Sequence, residues 1–320
     1  RLPGEQLLPL HGLDYPRDRR REPEAAGIAH YAAVQLFLND AQRLMPGYVP
    51  DDDDALLELC RVTDGLPLAL EMAAAWVETL TLPDLVQKLT QNLDLLAKEE
   101  PFRPARHHSI RAAFDTTWQF LGNAERDAFA RLSVFSGGFT RQAAQSIAGI
   151  SLPTLSTLAG RYLVKLDHTN GRYTIHELMR QYAAEKLAAG PDMEYQVRRP
   201  HAHFYCDYLA ARDNDLKRAN QEKALAEIRA DRANIWTAVR WAAGHPEEVS
   251  LLGVIDPLGD ACLLRNWVKD GETLFAQSAR ALSNYQEQPR VLLPLLHLQV
   301  WRLLFSYFLG QPVDALLVDV

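Results

Sequence analysis

The sequence predicts a mainly α-helical protein: a helical bundle, a winged-helix domain with one small β-hairpin, and an α-solenoid arm. Three observations support this prediction. Apolar residues recur at helical spacing along most of the chain. The pair Asn170-Gly171 lies between two short stretches of alternating apolar residues, and it accepts the positive φ values of a two-residue hairpin turn. After residue 190, successive helical hairpins with short polar turns indicate a solenoid.

The composition limits the class of protein. The 320 residues are 48% hydrophobic and 23% charged, which is ordinary for a globular protein of two or three domains. The net charge of −7 argues against a general nucleic-acid-coating role. No apolar run approaches the roughly 20 residues that span a bilayer, so we expect no membrane segment. Cys60, Cys206 and Cys262 are far apart, which favours a reduced, cytoplasmic protein without a zinc site.

Residues 1–22 predict one strand and a linker. Leu2 to Leu13 read LPGEQLLPLHGL, which suggests a turn and a short strand. A single strand is not stable alone, so we expect it to belong to a sheet whose other strands lie upstream. Asp14 to Glu24 are charged and interrupted by proline, which predicts a solvated linker.

Residues 23–104 predict a helical bundle. Asp51 to Asp54 supply a cap and a negative first turn to one of its helices. Consecutive residues of a helix do not converge on one ion, so a metal site is not favoured there. Gly65 ends that helix, and Pro67 fits the first turn of the next, an almost entirely apolar helix from Leu68 to Thr79.

Residues 105–190 predict the winged-helix domain. A two-residue turn at Asn170-Gly171 joins the strands of the wing, and His176 lies at the following strand-to-helix junction. Apolar residues from Leu178 to Leu187 then return to helical spacing. The helices expected before the wing are Ser109 to Leu121, Asn123 to Leu132, Arg141 to Ala148 and Pro153 to Arg161.

Residues 191–320 predict only helices and form the arm. Its repeat period is weak, so the arm is described as repeat-like. Several tryptophans occur here, and they either line a ligand site or form the core between repeats. Helical spacing favours the core. These tryptophans are Trp236, Trp241, Trp267 and Trp301.

Segments in this order resemble the bacterial STAND-type signalling NTPases, which are AP-ATPase or NB-ARC-like proteins. The strand that follows the sensor region of their NTPase core is similar to the segment LPGEQLLPL. The GLPLAL element of their helical lid is similar to the segment CRVTDGLPLALEMAAA. The start of their winged-helix domain is similar to the segment SIRAAFDTTWQFLGNAERDAFARLSVFSGGFT. The Met-His-Asp segment that ends this domain is similar to RYTIHELMRQYAAEKL. DRANIWTAVRWA is similar to the helix that opens their TPR-like arm. These matches cover most of residues 1–245.

The resemblance implies a nucleotide site. Gly65, Leu66 and Pro67 belong to the lid motif, and Pro67 would pack against the adenine of ADP or ATP. His176 would donate a hydrogen bond to the β-phosphate of ADP and so latch the closed, inactive state. Ile175 and Glu177 stand where the family often has Met and Asp. The residues themselves support a second reading equally well, in which His176 only caps the strand-helix junction.

The remainder of that nucleotide site is not present in the sequence. A phosphate cradle needs Gly-x-x-x-x-Gly-Lys-Ser/Thr after a strand, and magnesium needs an apolar strand that ends in paired acids. We therefore expect that this chain is not itself an enzyme and holds no nucleotide tightly. It would act with the P-loop core of the same protein, an ATPase, while the arm binds an unknown inducer or protein partner.

Two other functions compete with this reading. A DNA-binding winged-helix transcription factor needs a basic recognition helix, but Pro153 to Arg161 carries one arginine, with Lys165 and His168 in the wing. Direct DNA binding is therefore not expected. An enzyme needs clustered catalytic residues, and His201 and His203 diverge on one helix while His107-His108 lies in a Pro/Arg loop. The favoured function is the regulatory portion of a STAND ATPase that regulates transcription.

Overall fold

The computed structural model describes residues 12–16, 28–91 and 110–311. They are mainly α-helical with one small antiparallel sheet, which confirms the predicted fold class. The elements in chain order are α1 (Ala32–Leu44), α2 (Asp53–Thr63), α3 (Pro67–Ala74), α4 (Leu82–Gln91), α5 (Ile110–Gln119), α6 (Asn123–Leu132), α7 (Arg141–Ala148), α8 (Leu152–Gly160), β1 (Lys165–Asp167), β2 (Arg172–Thr174), α9 (Glu177–Ala188), α10 (Pro191–Ala210), α11 (Asp213–Leu216), α12 (Gln221–Gly244), α13 (Leu252–Leu264), α14 (Val268–Ser283) and α15 (Pro289–Phe308).

The chain divides into two compact units. The first comprises Arg1–Arg126 and His176–Glu185, and the second comprises Asp127–Ile175 and Lys186–Val320. The polypeptide therefore passes from one unit to the other within α6, immediately before His176, and within α9. The four-part division predicted from the sequence, with boundaries after residues 22, 104 and 190, stays a prediction.

The first unit has a hydrophobic core built by α1 to α4 and joined by α9. In this core α1 packs on α3, and α2 packs on α4. Leu178 and Tyr182 of α9 are buried in the same cluster. The Tyr182 hydroxyl donates to Asp115 of α5 at 2.6 Å, and Phe114 and Trp118 of α5 meet its ring edge-on. The first turns of α9 are thus part of this core.

The helix boundaries in the first unit follow from local chemistry. Asp52 caps α2, because its carboxylate accepts a hydrogen bond from the Ala55 amide at 3.0 Å. Pro67 occupies the first turn of α3, as predicted. That helix ends at Ala74, whereas the sequence predicted Thr79. Residues 75–79 form tight turns, in which the Trp76 amide donates to the carbonyl three residues earlier at 3.0 Å.

Residues 12–16 pack against the turn between α2 and α3. Tyr15 is buried, and its hydroxyl donates to the Asp64 carboxylate at 2.6 Å. A Cβ atom on Gly12 would lie 1.9 Å from the Asp64 carbonyl oxygen, so the two backbones are in direct contact. The predicted solvated linker is therefore wrong at Tyr15, because its ring is buried and its hydroxyl is bonded. Residues 17–24 of the predicted linker and residues 2–11 of the predicted strand lie outside the described residues.

The second unit contains the wing. β1 and β2 pair antiparallel, with Asp167 opposite Arg172, so residues 168–171 form the connection. The prediction of a two-residue turn at Asn170-Gly171 is wrong in length. The Asp167 carboxylate accepts hydrogen bonds from Thr169 and Asn170, which stabilises the longer loop. Gly171 supplies the positive φ of 68°.

A third extended segment joins the wing at Phe139. The Phe139 amide donates to the Tyr173 carbonyl at 2.9 Å, and the Tyr173 amide donates back at 2.8 Å. The rings of Phe135, Phe139 and Tyr173 stack in sequence and are buried. The wing thereby acquires an apolar face within the second unit.

The arm continues from α10 to α15. Each long helix packs on the one after next, as in the pairs α10 with α12, α12 with α14 and α13 with α15, while α14 and α15 form a close hairpin. Among the described residues α15 is long and apolar enough to cross a membrane by length and composition. The expectation that no segment reaches this length is therefore wrong. α15 buries Leu298 and Phe305 but exposes Leu296 and Val300, so it is apolar on both faces.

Candidate functional site

The turn at Thr63, Asp64 and Gly65 connects α2 to α3. Asp64 and Gly65 have φ values of 48° and 65°, in the left-handed region. A Cβ atom on Gly65 would lie 2.1 Å from the Leu13 carbonyl oxygen, so only glycine fits there. The Leu13 amide donates to the Gly65 carbonyl at 2.7 Å. We call these three residues the lid turn.

His176 contacts the lid turn from the N-terminus of α9. Its Nδ1 accepts a hydrogen bond from the Leu178 amide at 3.2 Å, so the ring caps the helix. Its Nε2 lies 3.2 Å from the Thr63 carbonyl oxygen. Since a carbonyl oxygen can only accept, Nε2 carries the hydrogen and Nδ1 carries none. The hydrogen-bond pattern therefore assigns the neutral ring.

The electrostatic surroundings favour the neutral ring. Burial lowers the pKa of His176 below its ordinary value of 6.5, and the negative charge of Asp64 only partly opposes this. Burial also opposes ionisation of Glu177, but hydrogen bonds from Arg180 at 2.7 and 2.9 Å outweigh it and lower the pKa of Glu177. At neutral pH an uncharged imidazole thus lies beside a charged carboxylate at the start of α9.

The structure brings part of the predicted nucleotide site together. Gly65 is buried and Leu66 is half-buried. Both come shortly after Thr63, whose carbonyl accepts a hydrogen bond from His176. Pro67 is exposed at the start of α3. The capping role of His176 is observed. Contacts of Gly65, Leu66, Pro67 and His176 with a nucleotide stay a prediction.

Two further residues of this region were not predicted from the sequence. Tyr15 and Asp64 join the segment before the helical bundle to the lid turn. Asp64 gave no signal in the sequence, since one aspartate after a helix is common. An aromatic residue soon after Gly12, in a charged stretch, was the only indication that Tyr15 is buried.

The other features of the described residues do not add to this site. No group of three or more His, Cys, Asp or Glu side chains among them could hold a metal ion. A cleft of about 550 Å³ in the first unit is formed by the loop after α1 and the turns after α3. Its lining includes Met45, Tyr48, Val49, Glu78 and Leu80, and none of the predicted nucleotide residues.

The tryptophans of the arm occupy separate places. Trp236 meets Trp267 edge-on at 6.0 Å between ring centres, and Trp241 stacks on His245 at 4.0 Å. Trp301 packs flat against Gly259 and donates to Asp256 at 2.8 Å. These four tryptophans form no common ligand site. Their observed role is packing, and for Trp241 this includes a contact with Tyr195 of α10 at 6.1 Å between ring centres.

The helix that would read DNA in a winged-helix protein has little positive charge. α8 contains no lysine or arginine, and Arg161 follows it. Lys165 and His168 of the wing are exposed. Arg172, also in the wing, binds Asp231 of the arm within the second unit.

Similar proteins are found in mycobacteria. A Mycobacterium bovis protein with the provisional name of HTH-type transcriptional regulator is 32% identical over 240 residues, which cover 71% of this chain and 27% of that protein. A Mycobacterium tuberculosis protein of the same description matches to the same extent. A second M. bovis protein, named only as uncharacterized, is 28% identical over 184 residues, covering 54% of this chain and 47% of that protein.

Other comparisons find no match. No model of a known protein family matches the chain, and no solved structure matches it significantly. The chain spans 27% of the length of the regulators to which it is similar. The similarity to those regulators covers most of this chain and a minor part of theirs.

Proposed function

We propose that this chain is the regulatory portion of a STAND-type signal-transduction ATPase that regulates transcription. The observation that supports this best is the hydrogen bond between His176 and Thr63, which are 113 residues apart in sequence. It joins the Met-His-Asp-like segment to the residues immediately before Gly65-Leu66-Pro67. The names of the mycobacterial relatives also support a regulatory role.

In the intact protein a P-loop core supplies the phosphate cradle. Gly65, Leu66 and Pro67 contact the adenine side of ADP or ATP, and His176 contacts the β-phosphate. The Nε2–H group that now donates to the Thr63 carbonyl is the donor for the phosphate. An anionic acceptor makes a stronger hydrogen bond than a neutral carbonyl, so exchange toward phosphate is favourable. Nδ1 continues to cap α9 in both arrangements, because it carries no hydrogen and can accept from the Leu178 amide.

The switch is gated by nucleotide, and the arm receives the signal. ADP holds the closed state through His176, and an inducer or partner protein binds the helices from α10 onward. This chain does not hydrolyse ATP by itself. Hydrolysis belongs to the P-loop core of the same protein.

The test is ADP retention in the full-length protein. We expect His176→Ala and His176→Asn to speed ADP dissociation by on the order of tenfold, about the loss of one charge-assisted hydrogen bond. Asparagine is a good helix cap, so His176→Asn keeps the capping role while it removes the Nε2–H donor. His168→Ala, at an exposed histidine of the wing, is the control. An ADP dissociation rate that is unchanged in both His176 variants would reject the latch.

A DNA-binding winged-helix transcription factor is the alternative, and the relatives' names favour testing it. An electrophoretic mobility titration of this chain with duplex DNA at low salt separates the two functions. We expect no shift, because α8 offers no cation for the phosphate backbone. A saturable shift would favour the alternative.

A further inference from the structure

A buried ion pair joins the wing to the arm inside the second unit. Arg172 of β2 donates to Asp231 of α12 through Nη2 at 2.6 Å and through Nη1 at 3.1 Å. The side chains are 15% and 7% exposed, so the pair is largely shielded from water. Its two parallel hydrogen bonds fix both the distance and the angle between strand and helix.

Asn234, one turn after Asp231, extends this contact to the loop before Phe139. Its Oδ1 accepts from the Ser136 amide at 2.8 Å, and its Nδ2 donates to the Gly138 carbonyl at 2.9 Å. Arg172 donates to the same carbonyl at 2.7 Å. Asn234 thus pairs with two backbone groups of the loop, and one of them, the Gly138 carbonyl, also binds Arg172.

The first helix of the arm takes part as well. The Tyr205 hydroxyl of α10 donates to Asp231 at 3.3 Å, and burial raises the pKa of Tyr205. α10 also packs on α7 of the winged-helix domain. The carboxylate of Asp231 therefore binds groups from both β2 and α10, and it is itself part of α12.

The adjacent residue on α12 makes a different kind of contact. Arg232 pairs with Asp270 of α14 at the surface, where both side chains are more than a third exposed. Asp231 and Arg232 are neighbours in sequence, but only Asp231 is buried. A surface pair of this kind contributes little to stability, whereas a buried charge without its partner is costly. The two pairs form a natural test and control.

We propose that Arg172, Asp231 and Asn234 form a lock that holds the arm on the wing as one body. Displacement of the arm then moves β2, and the chain passes from β2 through Ile175 directly to His176. The second step, from β2 to the latch, rests on the proposed function. The lock itself does not, because it involves only contacts within the second unit.

The lock is tested by a distance measurement in this chain. Spin labels are placed on cysteines introduced at Thr169 in the wing and Lys223 in α12, both exposed, while Cys60, Cys206 and Cys262 are buried. We expect a narrow distance distribution in the otherwise unchanged chain and in Asp270→Asn. Asp231→Asn and Arg172→Met should each give a broad one. A narrow distribution in both lock variants, with helix content unchanged, would overturn the proposal.

A milder variant covers the case in which these substitutions unfold the second unit. Asn234→Ala removes both contacts with the loop but leaves the ion pair, so the fold is expected to survive. Faster amide exchange of residues 136–139, with exchange in α14 unchanged, supports the lock. Unchanged exchange at residues 136–139 would overturn it.

ADP release from the full-length protein tests transmission to His176. We expect Asp231→Asn to change the ADP dissociation rate by on the order of tenfold, within the usual range for coupled sites, and Asp270→Asn to leave it unchanged. If the arm loosens and the rate stays the same, transmission is refuted. If the unchanged full-length protein binds no ADP, the proposed function fails, and the distance measurement still decides the lock.

Discussion

His176 and the lock both join residues that are far apart in sequence, but they use different chemistry. His176 is neutral, and it makes one hydrogen bond of 3.2 Å to a backbone carbonyl. The lock contains a shielded ion pair at 2.6 Å and an amide that binds two backbone groups. A neutral hydrogen bond contributes about 1 kcal/mol net and exchanges its partner at small cost. A buried ion pair that loses one partner costs about 3–5 kcal/mol.

This difference indicates which contact suits a switch. The His176 contact can be exchanged for another acceptor without leaving a charge unpaired. The lock cannot open without exposing or isolating the charge of Asp231. We therefore expect the contact in the first unit to be exchangeable and the contact in the second unit to be permanent. Four measurements test this difference.

The largest effect is expected from Arg172→Met. It leaves the buried Asp231 carboxylate unpaired, so the free energy of unfolding of the second unit should fall by about 3–5 kcal/mol in urea titrations. Adding Asp231→Leu should recover most of the loss, because the unpaired charge is then removed. Asp270→Asn, at the exposed pair with Arg232, should change it by less than about 0.5 kcal/mol. A loss in Arg172→Met no larger than in this control would mean that the lock is not needed for stability.

The next effect concerns the lid turn, through Gly65→Ala. Gly65 and Gly47 both have positive φ, but a Cβ atom on Gly65 would meet the Leu13 carbonyl oxygen, whereas one on Gly47 has nothing within 4 Å. Gly47→Ala should lower the free energy of unfolding by about 1 kcal/mol, because alanine is strained in the left-handed backbone conformation. Gly65→Ala should lower the free energy of unfolding by about 2 kcal/mol more than Gly47→Ala, because the backbone at Leu13 must move to make room for the Cβ atom. Equal losses in thermal unfolding would show that residues 12–16 are not held on the turn.

The third effect is a pH dependence from His176. Its pKa in the folded protein is below 6.5, so the unfolded chain binds more protons in the window just below pH 6.5. The stability from the neutral ring is present above pH 6.5 and is lost as the pH falls toward the folded pKa. Urea unfolding of the first unit at several pH values should show this slope. It should be weaker in His176→Asn, which does not titrate.

The control for this pH dependence is the His176→Asn variant, which keeps the neighbouring charged groups. Asp64 and Glu177 are the charged groups that act on His176, and both remain in the His176→Asn variant. Burial lowers the pKa of His201 to about 3, but His201 belongs to the second unit, so its protonation does not contribute to the slope of the first unit. An identical pH profile for the two proteins would mean that His176 does not titrate with a lowered pKa.

The smallest effect is expected from Tyr15→Phe. It removes the hydroxyl that donates to Asp64 at 2.6 Å but keeps the buried ring, so stability should fall by about 1 kcal/mol. Tyr162→Phe, at an exposed tyrosine, should have almost no effect. If Tyr15→Phe matches this control in urea unfolding, the hydroxyl does not hold the linker on the lid turn.

The parts of the fold that could be predicted from the sequence are local ones. Three helix boundaries depend only on residues within one turn of the helix. They are the cap of α2 at Asp52, the end of α2 before Gly65 and the start of α3 at Pro67. The capping role of His176 was one of two predicted readings for the same reason. The end of α3 and the length of the wing loop could not be predicted. The first depends on how residues 75–79 turn, and the second on the carboxylate of Asp167.

The sequence by itself determined the order of helices, the position of the wing and the identity of the histidine before α9. These features follow from periodicity and capping, which act over a few residues. Only the tertiary structure decided that Thr63 accepts from His176, that Tyr15 is buried, and that Asp231 binds the wing while Arg232 pairs with Asp270 at the surface. The physical reason is that burial and pairing belong to groups brought together by packing. The spacing of residues along one helix does not contain that information.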